Sequence, residues 1–205
     1  MLSRKQQVLK RLFDLLISML LLVFVSIPLI LLLVIATLDT AKKGLFVQRR
    51  IGQFGSPFNL YKIRSLRSEG HRDILAIKKS ETPFGAWLRR TKLDELPQLL
   101  NVIRGEMSLV GPRPDVAGYA DCLEGEDRII LLVKPGVTGP ATLKYKNEDS
   151  LLLQQDNPSA FNDTVIWPDK VKINKAYVLN WSLKKDLYYL WVSVVGVKNA
   201  SKEID

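Results

Sequence analysis

The chain has 205 residues, with 30 Lys and Arg against 21 Asp and Glu for a net charge of +9, and it carries a single Cys, Cys122, and a single His, His71. Those counts exclude a disulfide framework and a Cys/His zinc site, and any Ser-His-Asp or Cys-His centre would have to be built on His71, so catalysis falls to carboxylates, hydroxyls, Lys and Arg. The length suits one domain with its own core, and the lone thiol fits a reducing compartment.

Leu15 to Leu38 is a run of 24 residues without a charge, broken only by Ser18, Ser26, Pro28 and Thr37. As a helix it is roughly 36 Å long, enough to cross a hydrocarbon core of about 30 Å, and it is longer than the signal-peptide apolar region of about 7 to 15 residues. Arg4, Lys5, Lys10 and Arg11 precede it, and Lys42, Lys43, Arg49 and Arg50 follow it. Balanced basic flanks give a spanning helix no preferred orientation and better fit a segment whose two ends stay on one side. Pro28 removes a backbone hydrogen bond and Ser26 can satisfy a freed carbonyl, so the run can bend and return. A re-entrant helix and a kinked spanning anchor both stand on these residues, with a buried soluble helix as the weakest reading.

Thirteen Lys and Arg stand against three acids between Thr40 and Lys92, so the positive charge is concentrated directly after the apolar run and leads up to Asp94 and Glu95. Such a block calls for an anionic partner: the phosphates of a nucleotide or prenyl-phosphate substrate, an anionic lipid surface, or a nucleic acid. A solvated basic face serving only membrane attraction is the plainer alternative.

Within this block, Leu45–Gln48 and Phe58–Ile63 read as a hairpin turned at Gly52, Gly55 and Pro57, and 73–79 and 84–91 read as short helices on either side of Pro83. Leu96, Leu99, Leu100 and Ile103 recur at i, i+3, i+4 and i+7, one face of a helix ending near Gly105, with Pro97 tolerable only in its first turn. That spacing puts Asp94 at the N-cap and Glu95 at the first helical position, where free N–H groups favour carboxylates, phosphates and a divalent cation bridging them. Asp94 as a simple cap is the plainer reading of an isolated Asp.

Two stiff turns follow, Gly111-Pro112-Arg113-Pro114 and Pro135-Gly136-Val137-Thr138-Gly139-Pro140, of the kind that can present a cation or backbone amides to phosphate. Helices are expected at about 148–155, 169–180 and 183–195. Trp181, Tyr188, Tyr189 and Trp191 suit a membrane interface or a core edge. His71 reads as a surface residue and Cys122 as a small packing residue.

These pieces resemble the bacterial sugar transferases, the monotopic phosphoglycosyl transferases that initiate glycan assembly on a polyprenyl phosphate. The resemblance rests on Lys10-Arg11 and Asp14; Gln48, Arg50 and Gly52; Tyr61-Lys62-Ile63-Arg64-Ser65; Arg89; Leu93 to Leu99; Asn101-Val102; Gly105; Met107 to Pro114; Lys134-Pro135-Gly136; Thr138-Gly139; and Ser182 with Asp186. It covers nearly the whole chain in order, and the block from Leu93 to Pro114 is the most specific part. It implies an α+β, mostly helical membrane-embedded fold: a re-entrant helix over 1–39 kinked at Ser26 and Pro28, then a catalytic domain over 40–205 with a small hairpin and interfacial helices. The implied location is the cytoplasmic face of the bacterial inner membrane, in the minimal catalytic form.

The implied reaction moves a sugar-1-phosphate from a UDP-sugar to undecaprenyl phosphate and releases UMP, at the first membrane step of glycan assembly. It is ping-pong: Asp94 forms an aspartyl phosphosugar, and Glu95 helps hold Mg²⁺ and handle protons. Asp94 and Glu95 are the implied metal ligands. Lys62, Arg64, Arg89 and Arg113 bind phosphate, with Asp186 as a supporting polar residue. The partners implied are donor, lipid acceptor and membrane lipid, without nucleic acid, and a homodimer is left open. Two departures from the family pattern stand out. Ile27 separates Ser26 from Pro28, and Pro140-Ala141-Thr142 follows Gly139 where many relatives have Ala-Gln, which bears on sugar or uridine recognition. Two rivals remain: a membrane-anchored basic binding module, and a glycosyltransferase that releases UDP.

Overall fold

The computed structural model describes residues 2–68 and 74–196; His71 and the first residue of the helix expected over 73–79 lie outside them. Helix α1 runs from Arg4 to Thr40. Ser3 and Gln6 cap it reciprocally, each side chain accepting from the other's backbone N–H, and Ala41 in the left-handed region (φ 54°) ends it. The helix continues through Pro28 as one element. Ser26 Oγ donates to the Val23 carbonyl at 2.9 Å, one residue before the Phe24 carbonyl that proline leaves without its usual donor.

One stripe of α1 is covered along its length. Lys10, Asp14, Ser18, Leu29, Ala36 and Thr40 are buried, and Leu22 and Val25 pack between them. The other faces are apolar and bare, with Val23, Phe24, Ile27 and Leu38 between 72 and 78 % exposed. Among the described residues α1 is the one helix long and apolar enough to cross a membrane.

Strands β1 (Leu45–Ile51) and β2 (Pro57–Ile63) pair antiparallel from Leu45↔Ile63 to Ile51↔Pro57, the expected hairpin with a longer first strand. Its start lies flat on α1: the Gly44 N–H donates to Thr37 Oγ1 at 2.9 Å, and a Cβ there would stand 2.1 Å from the Leu33 carbonyl oxygen. Helices α2 (Ile74–Ser80), α3 (Pro83–Thr91) and α4 (Gln98–Arg104) follow. The fully buried Asn101 of α4 accepts from the Tyr61 N–H at 3.1 Å and donates to the Asn59 carbonyl at 2.7 Å, which fixes β2 on the helix.

The two stiff turns begin at a parallel strand pair that the sequence reading does not contain, β3 (Ser108–Val110) with β4 (Gly136–Thr138). Glycine makes the approach feasible, since a Cβ on Gly136 would lie 2.1 Å from the Gly111 nitrogen and one on Gly139 2.2 Å from the Gly111 oxygen. The remaining helices are α5 (Pro140–Lys144), α6 (Glu148–Leu152), α7 (Pro158–Phe161), α8 (Trp167–Leu179) and α9 (Leu183–Val195). Asn157 caps α7 and Pro158 opens it, so the stretch between the helices expected at 148–155 and 169–180 holds a helical turn running through a π-helical stretch into α8.

The main core joins β2, α4, β3 and α8 through Leu60, Leu99, Val102, Met107, Val110, Tyr177 and Trp181, with Phe13 and Ile17 of α1 against it. Trp181 is therefore a core residue, whereas Trp191 is 62 % exposed beside the exposed Leu187 and Val194. Cys122 corrects another expectation: it lies on a short surface turn and its thiol is exposed, so it does no packing. The architecture is mostly helical, with two small sheets and one long apolar helix.

Candidate active site

The acid pair sits elsewhere than a helix cap. Lys92 takes the left-handed region (φ 60°), closing α3 with its N–H on the Arg89 and Leu88 carbonyls, and Leu93–Glu95 then form a 3₁₀ turn. Pro97 brings no N–H, so α4 begins only at Gln98, and no side chain caps it. Asp94 is thus spared from capping: it is 6 % exposed, and its buried Oδ1 has no hydrogen-bond partner among the described residues. A left-handed non-glycine residue two positions before a buried carboxylate with an unpaired oxygen is local strain of the kind that collects at working sites.

Around this turn lies a cavity of about 650 Å³ whose lining includes Lys62, Arg89, Lys92, Asp94, Glu95, Arg113 and Asp115. Lys62 comes from β2, Arg113 from the turn after β3. That turn is braced by the hairpin: Arg50 donates to the Pro114 carbonyl at 3.3 Å, and the Ile51 N–H donates to the Asp115 carbonyl at 2.9 Å. Glu95 gathers the cations, accepting from Arg113 at 2.9 Å with the Lys62 ammonium at 3.5 Å.

The two acids are driven apart in acidity. Burial by itself would raise the Glu95 carboxyl, but Arg113 and Lys62 outweigh it and bring it down to about 2. Burial raises Asp94, and the neighbouring Lys62 only partly offsets it. Burial lowers Lys62 to about 8 against the pull of Glu95, and raises Asp115 to about 6. Glu95 holds Arg113 firmly protonated. One carboxylate ionised within a cation pair, beside a second that is buried with an oxygen unpaired among the described residues, is the division of roles that acid-base and nucleophilic sites use.

The structure brings Asp94, Glu95, Lys62, Arg89 and Arg113 to one cavity, and Arg89 is held there by Glu81 at 3.1 Å and by Asp149. Arg64 and Asp186 do not line it. Arg64 donates to the Lys43 carbonyl at 2.8 Å with its guanidinium 5.2 Å from the Phe46 ring, tying the hairpin to the end of α1. Asp186 is completely buried among Lys10, Tyr177 and Trp181. Ser26 and Pro28 lie within α1 and do not line the cavity either. Asp115, Trp167, Lys170 and Asn174 line the cavity without having been singled out. The last three recur at i, i+3 and i+7 and mark one face of α8, a grouping that the helical periodicity could have supplied.

Residues 5–200 match the bacterial sugar transferase family. The chain is 34% identical over 189 residues to the uncharacterized sugar transferase EpsL of Bacillus subtilis, covering 91% of this chain and 86% of that protein. It is 34% identical over 198 residues to the UDP-glucose:undecaprenyl-phosphate glucose-1-phosphate transferase of Klebsiella pneumoniae, and 31% identical over 208 residues to the undecaprenyl-phosphate galactose phosphotransferase of Salmonella typhimurium. Those two matches cover 91% and 92% of this chain but 39% and 40% of the longer relatives. The likeness extends over the long apolar helix, the acid turn and both glycine-crossed loops, and the chain belongs to the bacterial sugar transferase family.

Proposed function

We propose that the protein transfers a sugar-1-phosphate from a UDP-sugar to undecaprenyl phosphate, releasing UMP, with Asp94 as nucleophile. The observation that carries this reading is the buried Asp94 carboxylate, without a partner among the described residues, in a cavity lined by Lys62, Arg89 and Arg113. Two of the relatives named above are a UDP-glucose:undecaprenyl-phosphate glucose-1-phosphate transferase and an undecaprenyl-phosphate galactose phosphotransferase.

In the first step an Asp94 oxygen attacks the phosphorus that bears the sugar, the bond to the bridging oxygen of the diphosphate breaks, and UMP leaves. An oxygen of undecaprenyl phosphate then attacks the same phosphorus and Asp94 departs, which gives a lipid-linked diphosphate sugar. Lys62 and Arg113, held together by Glu95, neutralise the phosphate oxygens, which is the main demand of phosphoryl transfer. Asp94 and Glu95 also fit Mg²⁺, which is commonly held by one or two carboxylates with the rest of its shell from phosphates and water. Bound there, Mg²⁺ would supply further charge neutralisation at the diphosphate.

The test is nucleotide release from protein in nanodiscs given undecaprenyl phosphate, Mg²⁺ and a panel of UDP-sugars. UMP is the expected product; UDP would replace this reading with a glycosyltransferase, and no nucleotide from folded protein would favour a basic binding module. The acidity of Lys62 adds a pH signature. Its charge is lost as the pH rises through about 8, below the ordinary value of 10.5, so affinity for UMP should fall between about pH 7 and 9. In Lys62→Met that fall should disappear, and an identical profile in the variant would remove Lys62 from phosphate binding.

For the membrane, we read α1 as a monotopic anchor with both ends on the cytoplasmic side of the inner membrane. The covered stripe from Lys10 to Thr40 supports this, because a helix that leaves the domain to span a bilayer has no domain packed along its middle. Cysteines replacing Ser3 and Lys43 in a Cys122→Ser background are expected to label from the same side. Labelling from opposite sides would establish a spanning helix.

A further inference from the structure

Two buried polar atoms in the cavity have no role in the phosphate chemistry. Asn174 on α8 is 4 % exposed, and its Oδ1 has no hydrogen-bond partner among the described residues; Thr142 Oγ1 on α5 is in the same condition. Both residues line the cavity that contains Asp94, Lys62 and Arg113. Leaving buried polar atoms unpaired is costly, and native proteins tolerate it where a ligand supplies the missing bond.

The missing partner must be a donor. A carboxamide oxygen only accepts, and so do the oxygens of an ionised diphosphate, so phosphate cannot satisfy Asn174 Oδ1. A hydroxyl both donates and accepts and can serve either atom. Trp167 lies seven residues before Asn174 on the same face of α8 and also lines the cavity, offering an apolar ring of the kind that covers the C–H face of a saturated ring. Lys62, Lys92 and Arg113 come instead from β2 and from the turns after α3 and β3.

We propose that Asn174 and Thr142 form a hydroxyl-reading subsite of the donor, so that the nucleotide sugar lies with its diphosphate toward Asp94 and a polyhydroxylated ring against α5 and α8. This rests on the reaction proposed above. The hydroxyls come either from the transferred sugar or from the ribose, and the two sources are separable by experiment.

The full chain in nanodiscs is titrated with UMP, 2′,3′-dideoxy-UMP, UDP-glucose and UDP-galactose, for the wild type and for Asn174→Ala, Thr142→Val and Thr142→Ser. Affinity for at least one UDP-sugar is expected to fall about ten-fold in Asn174→Ala and less in Thr142→Val, with Thr142→Ser close to wild type and melting temperatures unchanged. If the ribose is read, the loss appears with UMP and vanishes with the dideoxy nucleotide. If the transferred sugar is read, UMP affinity is unchanged and the preference between the two epimers shifts. Affinities within about two-fold of wild type for all four ligands overturn the proposal, as does a uniform loss accompanied by a lowered melting temperature. Nucleotide release is followed in parallel: Asn174-dependent binding without UMP release supports the subsite and overturns the proposed reaction.

Discussion

Asp94→Asn is expected to lower turnover by roughly 10³- to 10⁵-fold, because the isosteric amide fills the same space but cannot attack phosphorus. The fold should not suffer. Asp94 is buried, its carboxyl is raised by that burial, and its Oδ1 has no partner among the described residues, so removing the charge relieves desolvation and the melting temperature should stay level or rise. Intact-mass measurement of protein incubated with a UDP-sugar alone should show a phosphosugar adduct on the wild type and none on the variant. Retained turnover in Asp94→Asn removes the nucleophile assignment. Glu95→Gln is expected to behave in the opposite sense. The folded Glu95 carboxyl sits at about 2 against an ordinary 4.5, so its stabilising contribution is fully present above the ordinary value and is lost as the pH falls through 4.5 toward 2. The variant should therefore lose stability at neutral pH, and it should react slowly because Lys62 and Arg113 lose their shared anchor. On these expectations one neighbour serves chemistry without supporting the fold, while the other supports both.

The parts legible in the sequence were those whose signal is local. The hairpin follows from the Gly52, Gly55 and Pro57 turn between two β-rich runs, and α4 from its apolar spacing. The acid pair was visible, but its setting was not: treating Pro97 as a first-turn residue made Asp94 a cap, whereas the left-handed Lys92 and the 3₁₀ turn leave its carboxylate unpartnered among the described residues. The pairing of β3 with β4 could not be read, since two three-residue strands have no periodicity and a parallel pair needs a long crossover. The glycines at 111, 136 and 139 were read as turn formers; they also let two backbone segments touch. Nothing local separates Asp186 from a site residue either, because its ion-pair partner lies 176 positions away in the sequence.

That placement gives Asp186 a testable role of its own. Its carboxylate is completely buried, with the Lys10 ammonium at 2.6 Å, the Tyr177 hydroxyl at 2.8 Å and the Trp181 indole N–H at 2.9 Å, so all three donors converge on one acid. Through them Asp186 joins the start of α1 to α8 and α9. Truncation to Ala would take the 2.6 Å ion pair from a Lys10 side chain only 9 % exposed, with the buried Asp14 as its remaining acidic neighbour, and strand two more donors, an expected loss of about 3–5 kcal/mol. Thermal unfolding in detergent should register it as a large drop in melting temperature. Asp186→Asn, which keeps an acceptor but not the charge, should lie between. Pairing Lys10→Met with Asp186→Leu should recover part of the loss, because a buried ion pair is costly mainly when broken and much less so when replaced by apolar side chains. Folded Asp186→Asn should also keep wild-type affinity for UMP, since the residue does not line the cavity. An Asp186→Ala protein as stable as the wild type but with weakened UMP binding would return Asp186 to the substrate site and remove it from the joint between α1 and the domain.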